Sequence, residues 1–397
     1  MNGNVISLLV SADWHLGATD PARFKLELMK TIDKILRKKK SLDLFVVAGD
    51  TFDMKEYLSS DTVKTFLHIM IELLEMTEQY GTVFRFIEGT STHDAMQLET
   101  LEIIFNRILK SDRVLFIHTV NAEELLGLKI LYVPEEYVID SDVYYKTAFN
   151  DHYDFMFGHG MTDIMWYMRK QKSDIDKLTS APVFNVETLC NVANYIYFGH
   201  VHYRMESGTD KRFKSIGPVS RWEFGKDQPC GMYFVTYDKN TEVAFEEFIE
   251  NEYAPVLSTT AVSINTDYDL SELNKTIKRR LDRVTNSSER IRLVVVIDST
   301  LETFIVMRDF ILASFGNIPN VTLVLKVLSK DETDETAMNE PEPIISKIEE
   351  KPYLYDKTMQ DEVRIASFIK KKAGVNISVE DVLGVIHPKD TKIKLEG

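Results

Sequence analysis

Val5-Ile6-Ser7-Leu8-Leu9-Val10-Ser11-Ala12-Asp13-Trp14-His15-Leu16-Gly17 is the stretch on which the fold turns. Residues 5–11 have the short, continuous apolar character of a buried strand. A carboxylate and an imidazole follow at once, two positions apart. On an extended segment Asp13 and His15 would point to the same side, and such a pair can hold one divalent ion. A D-x-H on its own is weak, because an ordinary surface turn carries it as readily. Its weight depends on what stands at the ends of the other strands.

Four further stretches repeat the arrangement of an apolar run followed by a turn with carboxylates or imidazoles. Residues 42–48 lead into Gly49-Asp50-Thr51-Phe52-Asp53, where the glycine permits a tight turn. Asp50 at the strand tip can bridge two ions with its two oxygens, and Asp53 is placed to orient a ligand by hydrogen bonding. Residues 82–87 lead into Gly89-Thr90-Ser91-Thr92-His93-Asp94. There His93 is a candidate general acid, with Asp94 holding its ring; a hydroxyl-rich loop with a capping aspartate would look the same. Residues 154–157 lead into Gly158-His159-Gly160, and residues 195–198 into Gly199-His200-Val201-His202. The H-x-H sets two imidazoles on one side of an extended segment, a spacing suited to one ion or to two adjacent ones. Each motif alone is weak or moderate. Together they run D-x-H, G-D, H-D, G-H, G-H-x-H, all at the strand-to-loop position where α/β proteins place functional groups. That ordered set is hard to obtain by chance. His68, His118, His152 and His387 lack this context and are read as structural or surface residues.

The rest of the chain supplies the frame. Apolar runs alternate with helical patterns over residues 1–250, which gives an α/β class. Asp20-Pro21 starts a helix with Pro at its first position; Phe24, Leu28, Ile32 and Ile35 share one face, and the basic run 37–40 closes it. Residues 63–76 form a strongly apolar helix. Further strands are expected at 114–118 and 128–133, then a hairpin from 231–237 and 243–248. A separate small α/β unit follows, with strands at 260–264, 291–297 and 321–328 and helices at 270–284 and 301–314. Residues 331–350 hold eight acidic residues against one Lys and read as an exposed linker. Short amphipathic helices are expected at 357–372 and 378–386, each too short to be stable alone. The expected division is 1–255, 256–330, a linker 331–356 and a tail 357–397.

The chain has 397 residues, 44% of them hydrophobic, enough for a sizeable core. No apolar run reaches the length of a membrane span. Residues 1–12 lack a basic leader pattern and are expected to be the first strand, not a signal peptide. The two cysteines, Cys190 and Cys230, exclude a disulfide framework and fit a reducing cytoplasm as a buried, inert pair. The net charge of −15 argues against a protein that coats nucleic acid. It does not argue against a metal site, whose carboxylates carry cations that reverse the local field. Any nucleic-acid contact is therefore confined to a patch or shared with a partner.

The ordered motifs resemble the calcineurin-like metallophosphoesterases, and within them the SbcD-type nuclease subunits of double-strand-break repair complexes. Ser11-Ala12-Asp13-Trp14-His15-Leu16-Gly17 and Gly49-Asp50-Thr51-Phe52-Asp53 carry the likeness. So does Ser215-Ile216-Gly217-Pro218-Val219-Ser220-Arg221-Trp222-Glu223-Phe224-Gly225 after the G-H-x-H loop. It covers roughly the first 225 residues at motif level. The resemblance implies an α/β/β/α sandwich of two facing sheets, a small α/β capping domain and a helical C-terminal tail. It implies two divalent ions, manganese above all: Asp13, His15, Asp50 and His202 on one, Asp50, His159 and His200 on the other. His93 would be the acid beside the leaving group. The implied activity is metal-dependent DNA cleavage, exo- or endonucleolytic, in repair and recombination. The implied partners are DNA, an SbcC-type ATPase gripped by the tail helices, and a second copy of the chain. Such a homodimer would pair near the apolar residues Val63, Phe66, Leu67, Met70, Ile71, Leu73 and Leu74, with Leu101, Ile104, Phe105 and Ile108 forming another apolar face.

One departure stands out. The family's third motif reads Gly-Asn-His-Asp, and its Asn completes the second ion's shell. Here either Thr92 holds the Asn position, aligned on His93-Asp94, or Gly89 is the family glycine and two residues are inserted. A hydroxyl is a poorer ligand than an amide oxygen, so the second ion is expected to bind less tightly. Two other functions stay open: a small-molecule or protein phosphoesterase of the same superfamily, and a non-catalytic scaffold with a decayed second site. The extra domain and the Trp222 segment speak against the first. Only the missing Asn supports the second.

Overall fold

In the computed structural model, the apolar runs that end in candidate ligands become parallel strands. The structure describes residues 4–108, 111–138, 141–165, 182–223, 228–265, 289–298, 310–314 and 321–327, with isolated positions 272, 275, 278, 279 and 308. The linker 331–356, the tail 357–397, most of both helices expected after residue 265, and His387 lie outside the described residues, as do Phe224 and Gly225.

Along the chain run β1 (Val5–Ser11), α1 (Pro21–Lys39), β2 (Leu44–Ala48), α2 (Asp61–Met76), β3 (Val83–Ile87), α3 (Gln97–Ile103), β4 (Val114–Ile117), β5 (Asn121–Leu125) and β6 (Leu128–Val133). Then come α4 (Ser141–Lys146), β7 (Tyr153–His159), β8 (Met161–Thr162), β9 (Val183–Phe184), α5 (Val186–Val192), β10 (Ala193–Gly199), β11 (Met205–Ser207), β12 (Phe213–Ser215), β13 (Gly231–Asp238) and β14 (Val243–Glu250). A second unit holds β15 (Val256–Asn265), β16 (Glu289–Asp298) and β17 (Val321–Val327) in one parallel three-stranded sheet. Among the described residues the first unit comprises 4–220 with 228–253, and the second comprises 221–223 with those from 254 onward.

The first unit contains two six-stranded mixed sheets, ordered β14-β13-β1-β2-β3-β4 and β11-β12-β10-β7-β6-β5. In each sheet the central strands are parallel, β1 to β4 in one and β6, β7, β10 and β12 in the other. Strands buried on both faces should read as continuous apolar runs, and these do. Side chains alternate between faces. Leu8, Val10, Leu44 and Val46 therefore meet Ile130, Tyr132, Phe155, Phe157 and Tyr197 in a core between the sheets. Leu9, Phe45, Val47 and Phe86 turn the other way and pack under α1 and α2. On the far side Leu131, Met156, Ile196 and Phe198 pack with Leu189 and Cys190 of α5. The layers are thus helix, sheet, sheet, helix.

Local signals start the helices as read. The Asp20 carboxylate accepts from Ala22 N with Pro21 at the first position, and the Ser60 hydroxyl accepts from Val63 N. Phe24, Leu28, Ile32 and Ile35 are buried together. All seven apolar residues of α2 named above are buried within the chain, as are Leu101 and Phe105. The apolar surplus of α2 is therefore spent on this core. Cys190 and Cys230 are buried thiols, not joined in a disulfide. Among the described residues no helix is long and apolar enough to cross a membrane.

Candidate metal centre

The parallel strands of both sheets deliver their C-terminal ends to one place. The tips of β1 and β2 are tied side by side: Asp13 N donates to Gly49 O at 3.1 Å, His15 N to Asp50 O at 3.0 Å, and Leu16 N to Thr51 O at 3.0 Å. Convergence here does not come from strand alternation, as the spacing suggested. Asp13, His15, Asp50 and His200 have φ of 49°, 43°, 49° and 90°. This left-handed region costs a non-glycine residue about 1–3 kcal/mol and is concentrated at functional sites, where the surroundings enforce it. Close approach also depends on two glycines. A Cβ on Gly49 would lie 2.1 Å from His159 Nδ1, and one on Gly89 would lie 2.1 Å from Asp50 N.

Two sets of donors meet at Asp50. In the first, Asp13, His15, Asp50 and His202 bring their ligand atoms within 4.8 Å of one another. His15 Nε2 is 3.5 Å from Asp50 Oδ2 and 3.1 Å from His202 Nε2. Asp13 Oδ1 accepts from His200 N, while the buried Oδ2 has no hydrogen-bond partner. In the second set, Glu135, His159 and His200 do the same. Glu135 Oε2 lies 2.8 Å from His200 Nδ1 and 3.8 Å from His159 Nε2, which is itself 3.2 Å from Asp50 Oδ2. The two imidazoles of the H-x-H loop are thus divided, His202 to the first set and His200 to the second.

These residues fit divalent ions. An octahedral shell with bonds of about 2.1 Å has neighbouring ligands about 3 Å apart, close to most of the contacts above. The imidazoles are also preset. His159 Nδ1 donates to Ala48 O at 2.8 Å, which leaves Nε2 as the lone-pair nitrogen facing Asp50. His15 Nδ1 faces the Asp53 carboxylate at 3.2 Å, so its Nε2 also faces Asp50.

Electrostatics point the same way. Asp13, Asp50 and Glu135 are three buried carboxylates in one small volume, an arrangement that needs positive charge to be stable. Burial opposes ionisation of Asp50, but His159, His15 and His93 hold its carboxyl well below the usual carboxylate range. Burial likewise opposes a charge on His159, yet Asp50, Asp13 and Glu135 push it up to about 10. Glu135 is pushed up by burial and pulled further down by His200 and His159.

Every described residue expected at the site lies in or beside it, with changes of detail. His93 stacks edge-on against His15, with ring centroids 4.5 Å apart. Its Nδ1 donates to the main-chain oxygen of Asp53, so Asp53, not Asp94, holds the ring. Asp94 ties two loops together: its oxygens accept from Phe52 N at 2.9 Å and Gly89 N at 2.8 Å. Burial beside Glu88 and Asp50 raises its pKa against those two bonds. His15, Asp53 and His93 form a third close donor group.

Thr92 is exposed, whereas Thr90 reaches the centre. Thr90 N donates to Asp50 Oδ1 at 2.7 Å, and its Oγ1 lies 3.2–3.4 Å from Glu135 Oε2, His159 Nε2, Asp50 Oδ2 and His200 Nδ1. The loop therefore meets the centre through Gly89 and Thr90, not through Thr92. Sequence reading missed both Thr90 and Glu135. The available signal for Glu135 was its place in Val133-Pro134-Glu135, directly after β6. His118 pairs with Glu88 and Glu102, and His152 with Asn191 and Asn194, apart from the centre. No protein-family model matches this chain, and no curated protein matches it either, so the reading of the site rests on its own residues.

Proposed function

We propose that this chain is a metal-dependent phosphodiesterase of the metallophosphoesterase type, acting on DNA as the nuclease subunit of an SbcCD-like complex. The observation that carries the reading is two adjacent donor sets at the ends of two facing sheets, one containing Asp50 and the other 3.2 Å from it through His159, beside a buried Asp13 oxygen with no hydrogen-bond partner. Asp13, His15, Asp50 and His202 would hold one ion; Asp50, His159 and His200 would hold the other. Bound divalent ions supply Lewis acidity and charge neutralisation for a phosphoryl group. The chain's own groups do the rest. The Asp53 carboxylate lies 3.2 Å from His15 Nδ1, and its main-chain oxygen accepts from His93. With Nδ1 of His93 donating to that carbonyl, Nε2 is the nitrogen that can hold a proton for the departing oxygen. Asp94 and Thr90 N keep the third loop against Asp50.

DNA as substrate, the ATPase partner bound by the tail 357–397 and pairing of two copies rest on the likeness of motifs. A decayed, non-catalytic site loses its only support if Glu135 supplies the missing donor. Cleavage of plasmid or hairpin DNA with manganese, alone and with the ATPase, compared with a chromogenic small diester, tests the reading. Chelator-sensitive cleavage of DNA in preference to the small diester is expected. No cleavage under any of these conditions overturns it.

A further inference from the structure

We infer that Glu135 is a direct, anionic ligand of the second ion, replacing the neutral amide of the resembled motif and giving the second half of the site as many carboxylates as the first. The inference rests on the two-ion reading but concerns a residue which that reading, taken from motifs alone, does not include.

Three observations carry it. First, Glu135 is buried, so its charge needs a nearby counterion. Second, its two oxygens have different roles. Tyr137 donates its phenol to Oε1 at 3.2 Å, whereas Oε2 faces His200, His159 and Thr90. An oxygen serving only to orient His200 would contact that ring alone. Glu135 Oε2 faces the same centre as Nδ1 of His200, Nε2 of His159 and the Thr90 hydroxyl. Third, the segment carrying Glu135 is fixed from behind. Glu136 accepts from Val120 N at 2.6 Å and from the Tyr144 hydroxyl at 2.5 Å, and the Tyr145 hydroxyl donates to Pro134 O at 3.4 Å. Glu135 is thus preorganised by its neighbours, as a ligand must be.

The second half then has two carboxylates, Asp50 and Glu135, with two imidazoles and the Thr90 hydroxyl. The first has two carboxylates, Asp13 and Asp50, with two imidazoles. The expectation of a weak second ion, drawn from the absent Asn, is replaced by one of two ions of comparable affinity.

The test is manganese titration of the full chain without nucleic acid, by calorimetry and by paramagnetic resonance of the bound ions. Wild type should bind two ions per chain with a spin-coupled pair signal. Glu135→Gln keeps the shape and a neutral oxygen and should weaken one ion by at least about tenfold. Glu135→Ala should weaken it beyond the about 100-fold that loss of an outer hydrogen-bonding partner costs, and remove the coupled signal. Apo-protein melting checks that both variants fold, and the isosteric Gln variant keeps the test alive should the Ala variant fail to fold. Two ions bound within tenfold of wild-type affinity in the Gln variant overturn the proposal, as does a retained coupled signal in the Ala variant. Because no cleavage is measured, a chain that binds in this way yet never cuts DNA would sink the functional reading and leave the ligand assignment standing.

Discussion

The two halves of the centre are built alike but announce themselves differently. The first half is made of short local patterns: D-x-H after β1, G-D after β2, and the second imidazole of H-x-H after β10. The second half shares Asp50 and takes His159 and His200 from similar patterns, but it is completed by Glu135 and Thr90, which belong to none. A ligand set can be legible where several donors lie within a few residues of one another. It is hidden where a single long side chain arrives from a separate strand end.

Asp50 is the hinge of this comparison, and its loss should have the largest effect. Asp50→Asn keeps an acceptor for Thr90 N but removes the charge that both halves share. Both ions should be lost from a calorimetric titration. Cleavage should fall by more than the about 1,000-fold that removal of one stabilising group costs. One ion still bound tightly would show that the halves are independent.

His93→Ala should come next. With the ring held by Asp53 O and lying outside both halves, its removal should leave two ions bound. DNA cleavage should fall by about 100- to 10,000-fold, the range for loss of a general acid. Because His93 also lies in a close group with His15 and Asp53, a drop in manganese stoichiometry would make it a ligand and move it into the first half.

A smaller effect separates the two threonines of the third loop. Thr90→Val should weaken the second ion by about tenfold and leave the first unchanged. Thr92→Asn, at an exposed position, should change neither. A tightened second ion in Thr92→Asn would mean that the loop closes on His93-Asp94 with Thr92 inward when ions are bound.

The same contrast of local and distant information runs through the fold. The parallel strands were legible because both faces are buried, so β1, β2, β3, β6, β7 and β10 show as apolar runs. The β13–β14 hairpin showed through its turn. The strand β5, Asn121–Leu125, was missed because it is a largely exposed edge with polar residues at most positions. The strands β8, β9, β11 and β12 have two or three residues each, too few for periodicity to register. In the site, residue types and loop positions were legible. The left-handed backbone at Asp13, His15, Asp50 and His200 was not, because it is imposed by bonds between neighbouring loops and carries no signature in those residues themselves. The partner of His93 was missed for a related reason: a main-chain oxygen has no side-chain identity to read.

The smallest effect concerns how the second half's loop is anchored. Glu88, the residue before Gly89, accepts from Met96 N at 2.7 Å through one oxygen and faces His118 Nδ1 at 3.0 Å through the other. His118 Nε2 faces Glu102 at 3.2 Å. The hydrogen bond to Glu88 raises the His118 pKa above 6.5 against partial burial, with Glu102 adding to it. A raised folded-state pKa means that the protonated ring is held more tightly in the folded chain than in the unfolded one. The stability it contributes is complete below pH 6.5 and disappears as pH rises through the raised folded value. His118→Gln should therefore lower the melting temperature more at about pH 6 than at about pH 9, where less of the wild-type ring is protonated. The ring is partly exposed, so screening limits the difference to about 1–2 °C. Manganese affinity should stay within about twofold, because Asp94 and Thr90 N hold the loop to Asp50 without His118. A melting difference that is the same at both pH values would mean that His118 acts by packing alone. A selective loss of the second ion would mean that the Glu88 network, and not Asp94, positions this half of the centre.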